Sequence, residues 1–113
     1  MAESDQAFAE PFKRISVADA KAMLDDGKAV AIDVREGWEW ANGHIGTATH
    51  TPLARIMSAP AASVTQDNVI FVCEVGQRSA VAAEIAASLG FDNLYNMEGG
   101  MTAWRAAGYP VAK

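Results

Sequence analysis

Residues 68–90, NVIFVCEVGQRSAVAAEIAASLG, decide the fold and contain the only cysteine of the chain. The apolar run 69–72 is β-branched and aromatic and has no polar alternation, which predicts a short strand buried on both faces. A loop, residues 74–79, follows Cys73, and residues 80–89 are rich in Ala, Ile and Leu before a glycine that ends a helix. This order places the Cys73 sulfur at a helix N-terminus.

Backbone N–H groups surround a helix N-terminus and favour an anion there, so a thiolate is favoured over a thiol. Gly76 permits the backbone conformations of an anion-binding turn, while Arg78 and Ser79 supply a cation and a hydroxyl. Ser79 is also predicted to cap the helix. A cysteine at a strand end is by default a small core residue. The residues alone support two interpretations of Cys73 equally, an unreactive core side chain and a reactive thiolate.

A second apolar run, residues 29–34, ends at the charged residues Asp33 and Arg35. Two buried strands, each followed by a loop and a helical segment, predict an α/β fold with a mostly parallel sheet and helices on both faces. Further strands are predicted within residues 45–52 and 91–97. The overall order is β-α repeated about five times, which implies a central five-stranded sheet.

Ligands of such sheets bind at the carboxyl ends of the strands. Asp33, Arg35 and Cys73 all fall there, so we expect them to share one edge. Asp33 is expected to orient loop groups or an arginine, and Arg35 to contact substrate or pair with a carboxylate. For Arg78, two interpretations stand equally: an anion ligand, or a side chain paired with Asp33 or Glu36.

Helix signals occur along the whole chain. Ser16 followed by Asp19 resembles a capping box and predicts a helix start there. The segment 59–63 is predicted to be a surface connection. Helices are predicted within residues 17–26, 35–46, 52–58, 80–89 and 101–107.

Trp104 is assigned to the core from its helical spacing. For Trp38 and Trp40 two interpretations remain: they line the pocket, or they only pack against neighbouring residues. His44 and His50 are interpreted as structural histidines.

The chain has 113 residues, of which 50% are hydrophobic and 20% charged, as expected for one globular domain. Residues 1–12 are predicted to be a flexible arm that packs only through Phe8 and Phe12, and residues 13–113 to be a single domain. The net charge of -5 and the lack of any Lys or Arg run argue against nucleic acid and anionic membranes as partners.

The first residues lack the basic and apolar segments of a signal peptide, and no apolar run reaches the ~18 residues of a membrane span. A single cysteine makes neither an intramolecular disulfide nor a multi-thiolate zinc site. We therefore expect a soluble cytoplasmic protein.

Three ordered motifs resemble the rhodanese domain family, and the resemblance runs from about residue 15 to residue 111. The motifs are C-x-x-G-x-R-S at 73–79, D-V-R-E at 33–36 with G-H-I-G at 43–46, and G-G-M-T-A-W at 99–104 with A-G-Y-P-V at 107–111.

The resemblance implies a single-domain sulfurtransferase without metal or other cofactor. The Cys73 thiolate would take sulfane sulfur from thiosulfate or a related persulfide donor and pass it to cyanide or a thiol, including a thiol on a protein. The implied substrate-binding residues, whose N–H groups would stabilise the sulfur anion, are Glu74, Val75, Gly76, Gln77, Arg78 and Ser79, with Asp33 and Arg35 in support.

Alternatives remain. In this family a six-residue loop, here Cys73 to Arg78, goes with sulfur transfer, whereas related dual-specificity phosphatases have one residue more; phosphatase or arsenate reductase is thus the enzymatic alternative. A sulfur-carrying or sensing module without turnover and an inert interaction domain are the others. Glu74, acidic where many members carry a basic residue, would disfavour the thiolate and repel thiosulfate, which favours a less anionic persulfide or a protein partner.

Overall fold

Five parallel strands form one sheet in the computed structural model of the protein, which describes residues 9–113. Neighbouring strands follow the order β1-β5-β4-β2-β3, and every pairing is parallel. The predicted five-stranded parallel sheet is therefore confirmed. The strands are β1 (Lys13–Ile15), β2 (Val30–Asp33), β3 (Thr49–His50), β4 (Val69–Val72) and β5 (Leu94–Met97).

The helices lie close to their predicted positions, with ends that differ by a few residues. The first begins as the capping signal predicts, because the Ser16 hydroxyl accepts the backbone N–H of Asp19 at 3.1 Å. The helices are α1 (Val17–Asp25), α2 (Gly37–Ala41), α3 (Leu53–Ser58), α4 (Pro60–Ser63), α5 (Arg78–Ser88) and α6 (Gly100–Ala106).

The segment 59–63, predicted to be a surface connection, has no buried residue and is helical. It forms the single helical turn α4, with Pro60 at the first position, where the missing N–H of proline has no helical partner to lose. The backbone N–H of Val64 closes the turn on the carbonyl of Pro60 at 3.0 Å.

Helices cover both faces of the sheet and create two cores. Alternate residues of β4 point to opposite faces, so Phe71 packs in one core and Ile70 in the other. The first core includes Ile56 of α3 and three alanines of α5. The second includes Ala20 of α1 and Trp104 of α6, which confirms the assignment of Trp104 to the core.

The chain enters the fold through Phe12, which is buried in the first core. Phe8, the other residue predicted to anchor the arm, lies outside the described residues. No helix within residues 9–113 is long and apolar enough to cross a membrane.

The order of the strands brings the site together. β4 is a central strand, paired with β2 so that Val72 lies opposite Asp33, and with β5 so that Phe71 lies opposite Asn96. Cys73 directly follows β4, and the carboxyl ends of both neighbouring strands therefore flank it.

Candidate active site

Cys73 lies at the end of β4, beneath the loop that leads into α5, and only 1% of its surface is exposed. Its Sγ accepts the backbone N–H of Gly76 at 3.1 Å and lies 3.2 Å from the Ser79 hydroxyl. The predicted strand, loop and helix are confirmed, with α5 beginning at Arg78. The sulfur therefore has two polar contacts, one from the backbone and one from a side chain.

The loop between β4 and α5 keeps further backbone donors unused. Within residues 9–113, the N–H groups of Val75, Gln77 and Arg78 donate to no protein acceptor. Gly76 has a φ of +99°, a backbone conformation that residues with a side chain rarely adopt. The glycine thus permits a turn whose free N–H groups can receive an anion.

Ser79 does not cap α5 as predicted, because it lies inside the helix, which begins one residue earlier and has no side-chain cap. Its buried hydroxyl instead touches the Cys73 Sγ and donates to the side-chain oxygen of Asn96. The Asn96 amide in turn donates to the carbonyl of Gly76 at 3.0 Å. Sequence reasoning missed Asn96; the available signal was a polar residue within the buried strand β5.

Arg78 forms a two-pronged ion pair with Glu39 of α2, with N–O distances of 2.7 and 2.8 Å. The predicted partners, Asp33 and Glu36, are wrong. The hydrogen bonds from Arg78 hold the pKa of Glu39 at about 2, and the same pair raises the pKa of Arg78. Arg78 thus joins the loop to α2.

Arg35 and Asp33 form a buried pair at the end of β2, with 1% and 0% of their surfaces exposed. The guanidinium bonds Asp33 at 2.8 Å through Nη2 and at 3.0 Å through Nε, and also donates to the carbonyl of Gly43 at 2.8 Å. Asp33 therefore orients an arginine, as expected, and Arg35 is a carboxylate partner.

Glu74 does not present an uncompensated negative charge. Its carboxylate accepts from Arg35 at 3.1 Å, from the Thr102 hydroxyl at 2.8 Å, and from Arg105. Thr102 and Arg105, both in α6, are contacts that sequence reasoning missed.

The start of α6 packs directly under the loop. The backbone N–H groups of Met101 and Thr102 donate to the carbonyls of Cys73 and Glu74 at 2.9 and 3.0 Å. A side chain at Gly100, whose φ is +57°, would lie 2.5 Å from the backbone of Glu74. The G-G-M-T segment is thereby explained as a support for the loop.

Trp40 is a packing residue that stacks on both histidines, with ring centroids 3.4 Å from His44 and 4.9 Å from His50. Each histidine also bonds a backbone carbonyl: Nδ1 of His44 donates to Trp40 at 2.9 Å, and Nε2 of His50 to Arg35 at 2.8 Å. These contacts confirm the interpretation of the two histidines as structural.

A cavity of about 430 Å³ opens beside the loop, lined by six residues. Trp38, 70% exposed, forms part of its wall. Cys73 is not among the lining residues, although its neighbour Glu74 is. The part of the chain that the structure describes holds no group of three or more metal-ligating side chains. The lining residues are Arg35, Trp38, Glu39, Asn42, Glu74 and Arg105.

Comparison with known proteins identifies similar sequences and folds. A family model described as a rhodanese-like domain matches residues 16–107. The thiosulfate sulfurtransferase GlpE of Pseudoalteromonas translucida is 34% identical over 96 residues, which cover 85% of this chain and 91% of that protein. The protein of the same name from Pseudomonas fluorescens is 36% identical over 100 residues, with 88% and 90% covered. The human single-domain sulfurtransferase TSTD1 has a TM-score of 0.73 and 28% identity, covering 87% of this chain and 97% of that one.

Proposed function

The chain belongs to the rhodanese-like domain family, and from this premise we propose that it transfers sulfane sulfur through a persulfide on Cys73. One observation carries the proposal: the Cys73 Sγ lies under a loop that already gives it the Gly76 N–H at 3.1 Å and keeps further N–H groups unused. Such donors stabilise negative charge on sulfur.

The transfer has two steps. The Cys73 thiolate attacks the outer sulfur of thiosulfate, forming a new S–S bond while the old one breaks and its electron pair leaves with sulfite. The persulfide then gives its terminal sulfur to cyanide, which leaves as thiocyanate and regenerates the thiolate. Neither step needs a metal or an external oxidant, because the sulfane sulfur is transferred without any net redox change.

The residues of the loop have separate roles in this proposal. The N–H groups of residues 74–79 stabilise the negative charge that develops on sulfur by hydrogen bonding to it. Gly76 allows the loop to turn. Ser79 contributes its hydroxyl. Asp33 and Arg35 act further out, because Asp33 holds the guanidinium that contacts Glu74.

Steady-state kinetics with thiosulfate and cyanide test the proposal. We expect parallel lines in double-reciprocal plots, the pattern of a ping-pong mechanism, and complete loss of turnover in Cys73→Ser. Turnover that survives in Cys73→Ser would overturn the proposal. Hydrolysis of an aryl phosphate, with protection of Cys73 by vanadate, would instead support a phosphatase.

A sulfur carrier that is loaded by a persulfide donor, such as a partner protein, is the second candidate. It is favoured because Arg35, Arg78 and Arg105 are each already paired with a carboxylate, which leaves no side-chain cation free for thiosulfate among the contacts described above. A carrier would accept sulfur stably on Cys73 from a small persulfide yet show negligible thiosulfate turnover. Loading by glutathione persulfide without turnover would therefore identify the carrier.

A further inference from the structure

Three donors from two parts of the chain converge on the carboxylate of Glu74. They are the guanidinium of Arg35, which follows β2, and the Thr102 hydroxyl and Arg105 guanidinium of α6. We name Arg35, Thr102 and Arg105 the anion cradle. Two guanidinium groups and a hydroxyl are a donor set that also suits a sulfonate.

The anion cradle has a fixed inner wall and an open outer side. Arg35 is 1% exposed and is held by Asp33 and Gly43, so its position does not depend on Glu74. Arg105, whose side chain is 44% exposed, lies on the outer side. The 430 Å³ cavity is lined by both arginines and by Glu74, so a small solute can reach the cradle from solvent.

The Glu74 side chain can leave the cradle without moving the loop. The backbone of Glu74 is fixed separately, because its carbonyl accepts the backbone N–H of Thr102 at 3.0 Å. The neighbouring carbonyl of Cys73 accepts from Met101 at 2.9 Å. Rotation of the carboxylate into solvent would therefore leave the cradle in place, beside the backbone of the residue that follows Cys73.

We propose that the Glu74 carboxylate occupies the anion cradle and that the sulfonate of thiosulfate competes with it for Arg35, Thr102 and Arg105. Glu74 then sets the specificity of the site, since it weakens binding of anionic donors relative to donors without a sulfonate. The inference rests on the proposed function for the choice of thiosulfate, but the geometry of the cradle does not depend on it.

The formal charges explain the direction of the effect. Asp33, Glu74, Arg35 and Arg105 cancel one another when all four are ionised, so a dianion meets a neutral group of residues. Glu74→Gln leaves the group with a net charge of one positive unit. It also weakens the hydrogen bonds between side chain 74 and the guanidinium groups, so binding of a sulfonate is favoured.

Calorimetric titration of thiosulfate into protein that carries Cys73→Ser separates binding from chemistry. At constant ionic strength we expect Cys73→Ser/Glu74→Gln to bind thiosulfate about tenfold more tightly than Cys73→Ser. Adding Thr102→Val or Arg105→Gln should remove most of that gain. Glu84→Gln, the same charge change at an exposed position of α5, is the matched control and should give no gain.

Equal affinity with and without Glu74→Gln, an equal gain from Glu84→Gln, or a gain that survives Arg105→Gln would each overturn the inference. Glu74→Asp keeps the charge, withdraws the carboxylate by one methylene and should give a smaller gain, so it serves if Glu74→Gln does not fold. Because binding is measured without the nucleophile, loss of this gain leaves the persulfide chemistry of Cys73 intact, and failure of that chemistry leaves the binding result standing.

Discussion

At the scale of single residues, Ser79 is the side chain within hydrogen-bonding distance of the Cys73 sulfur. Its hydroxyl lies 3.2 Å from the Cys73 Sγ and donates to Asn96. With a thiol at position 73, the S–H can donate to this hydroxyl; with a thiolate, the hydroxyl can turn and donate to the sulfur. We therefore expect Ser79 to stabilise a thiolate at Cys73.

Ser79→Ala should slow iodoacetamide alkylation of Cys73 at neutral pH roughly tenfold, because a hydrogen bond to a charged group is lost. It should also lower the free energy of unfolding by about 1–2 kcal/mol, since the side-chain oxygen of Asn96 loses its donor. Ser88→Ala, in the last turn of the same helix, is the control. Equal alkylation rates in Ser79→Ala and the native protein would contradict this role.

Glu39 gives the fold a specific dependence on pH. Its pKa falls from the ordinary 4.5 to about 2 in the folded protein because Arg78 donates two hydrogen bonds to it. A carboxyl with a depressed pKa stabilises the fold above its unfolded pKa and loses that contribution as pH falls through the folded one. The Glu39–Arg78 pair should therefore lose its contribution between pH 4.5 and about 2.

Glu39→Gln should lower the free energy of unfolding at neutral pH by about 1–2 kcal/mol. The difference between the native protein and Glu39→Gln should shrink as the pH falls through that window. Urea denaturation of both proteins at a series of pH values checks it, and the subtraction cancels other titrating groups. A difference that does not change with pH would contradict the ion pair.

The residues of the site differ in how well the sequence predicts them. The turn at Gly76 and the position of Cys73 follow from local order, since strand, loop and helix are contiguous. The partner of Arg78 does not, because Glu39 lies 39 residues away and only the docking of α2 on the loop brings it near. Glu74 shows the same limit: its charge can be read from the sequence, but its neutralisation by Arg105 depends on where α6 packs.

At the scale of elements, the start of α6 supports the loop that follows Cys73. A β-carbon at Gly100 would lie 2.5 Å from the backbone of Glu74, and the φ of +57° disfavours any side chain. Gly108 has a φ of +78°, but no atom lies within 4 Å of the place that its β-carbon would occupy. A substitution at either glycine strains the backbone, but only one at Gly100 also creates a steric clash. Comparing the two substitutions therefore distinguishes the two costs.

Gly100→Ala should lower the free energy of unfolding by about 3 kcal/mol or more and slow alkylation of Cys73, since the loop must shift. Gly108→Ala should cost only about 1 kcal/mol and leave the alkylation rate unchanged. Chemical denaturation and the alkylation assay measure both effects. If the two variants behave alike, α6 does not support the loop in this way.

The two departures of the fold from the sequence prediction have local causes. β1 (Lys13–Ile15) had no predicted bounds because it is a three-residue edge strand with two exposed charged residues and no apolar run. α4 is one turn whose Pro and Ser are equally typical of loops. The central strands could be predicted because burial on both faces leaves an unbroken apolar run.

At the scale of the whole molecule, one sheet is shared by two cores. Ile56 lies in the core on the α5 face and Met101 in the core on the α1 and α6 face. All five strands are hydrogen-bonded into the one sheet that lies between the two cores. We therefore propose that residues 13–113 unfold as one domain.

Ile56→Ala and Met101→Ala should each lower the free energy of unfolding by about 2–4 kcal/mol. Each variant should still show one cooperative transition, with tryptophan fluorescence and circular dichroism coinciding. Two separated transitions in either variant would show that the cores unfold independently.

We propose that Cys73 carries sulfur as a persulfide, and the mass of the protein after reaction with thiosulfate tests this most directly. Under non-reducing conditions, after desalting, we predict a gain of one sulfur atom on the peptide that contains Cys73, its release by cyanide as an equal amount of thiocyanate, and no gain in Cys73→Ser. An unchanged mass after thiosulfate and after a small persulfide donor, or an added sulfur that persists in Cys73→Ser, would contradict the account.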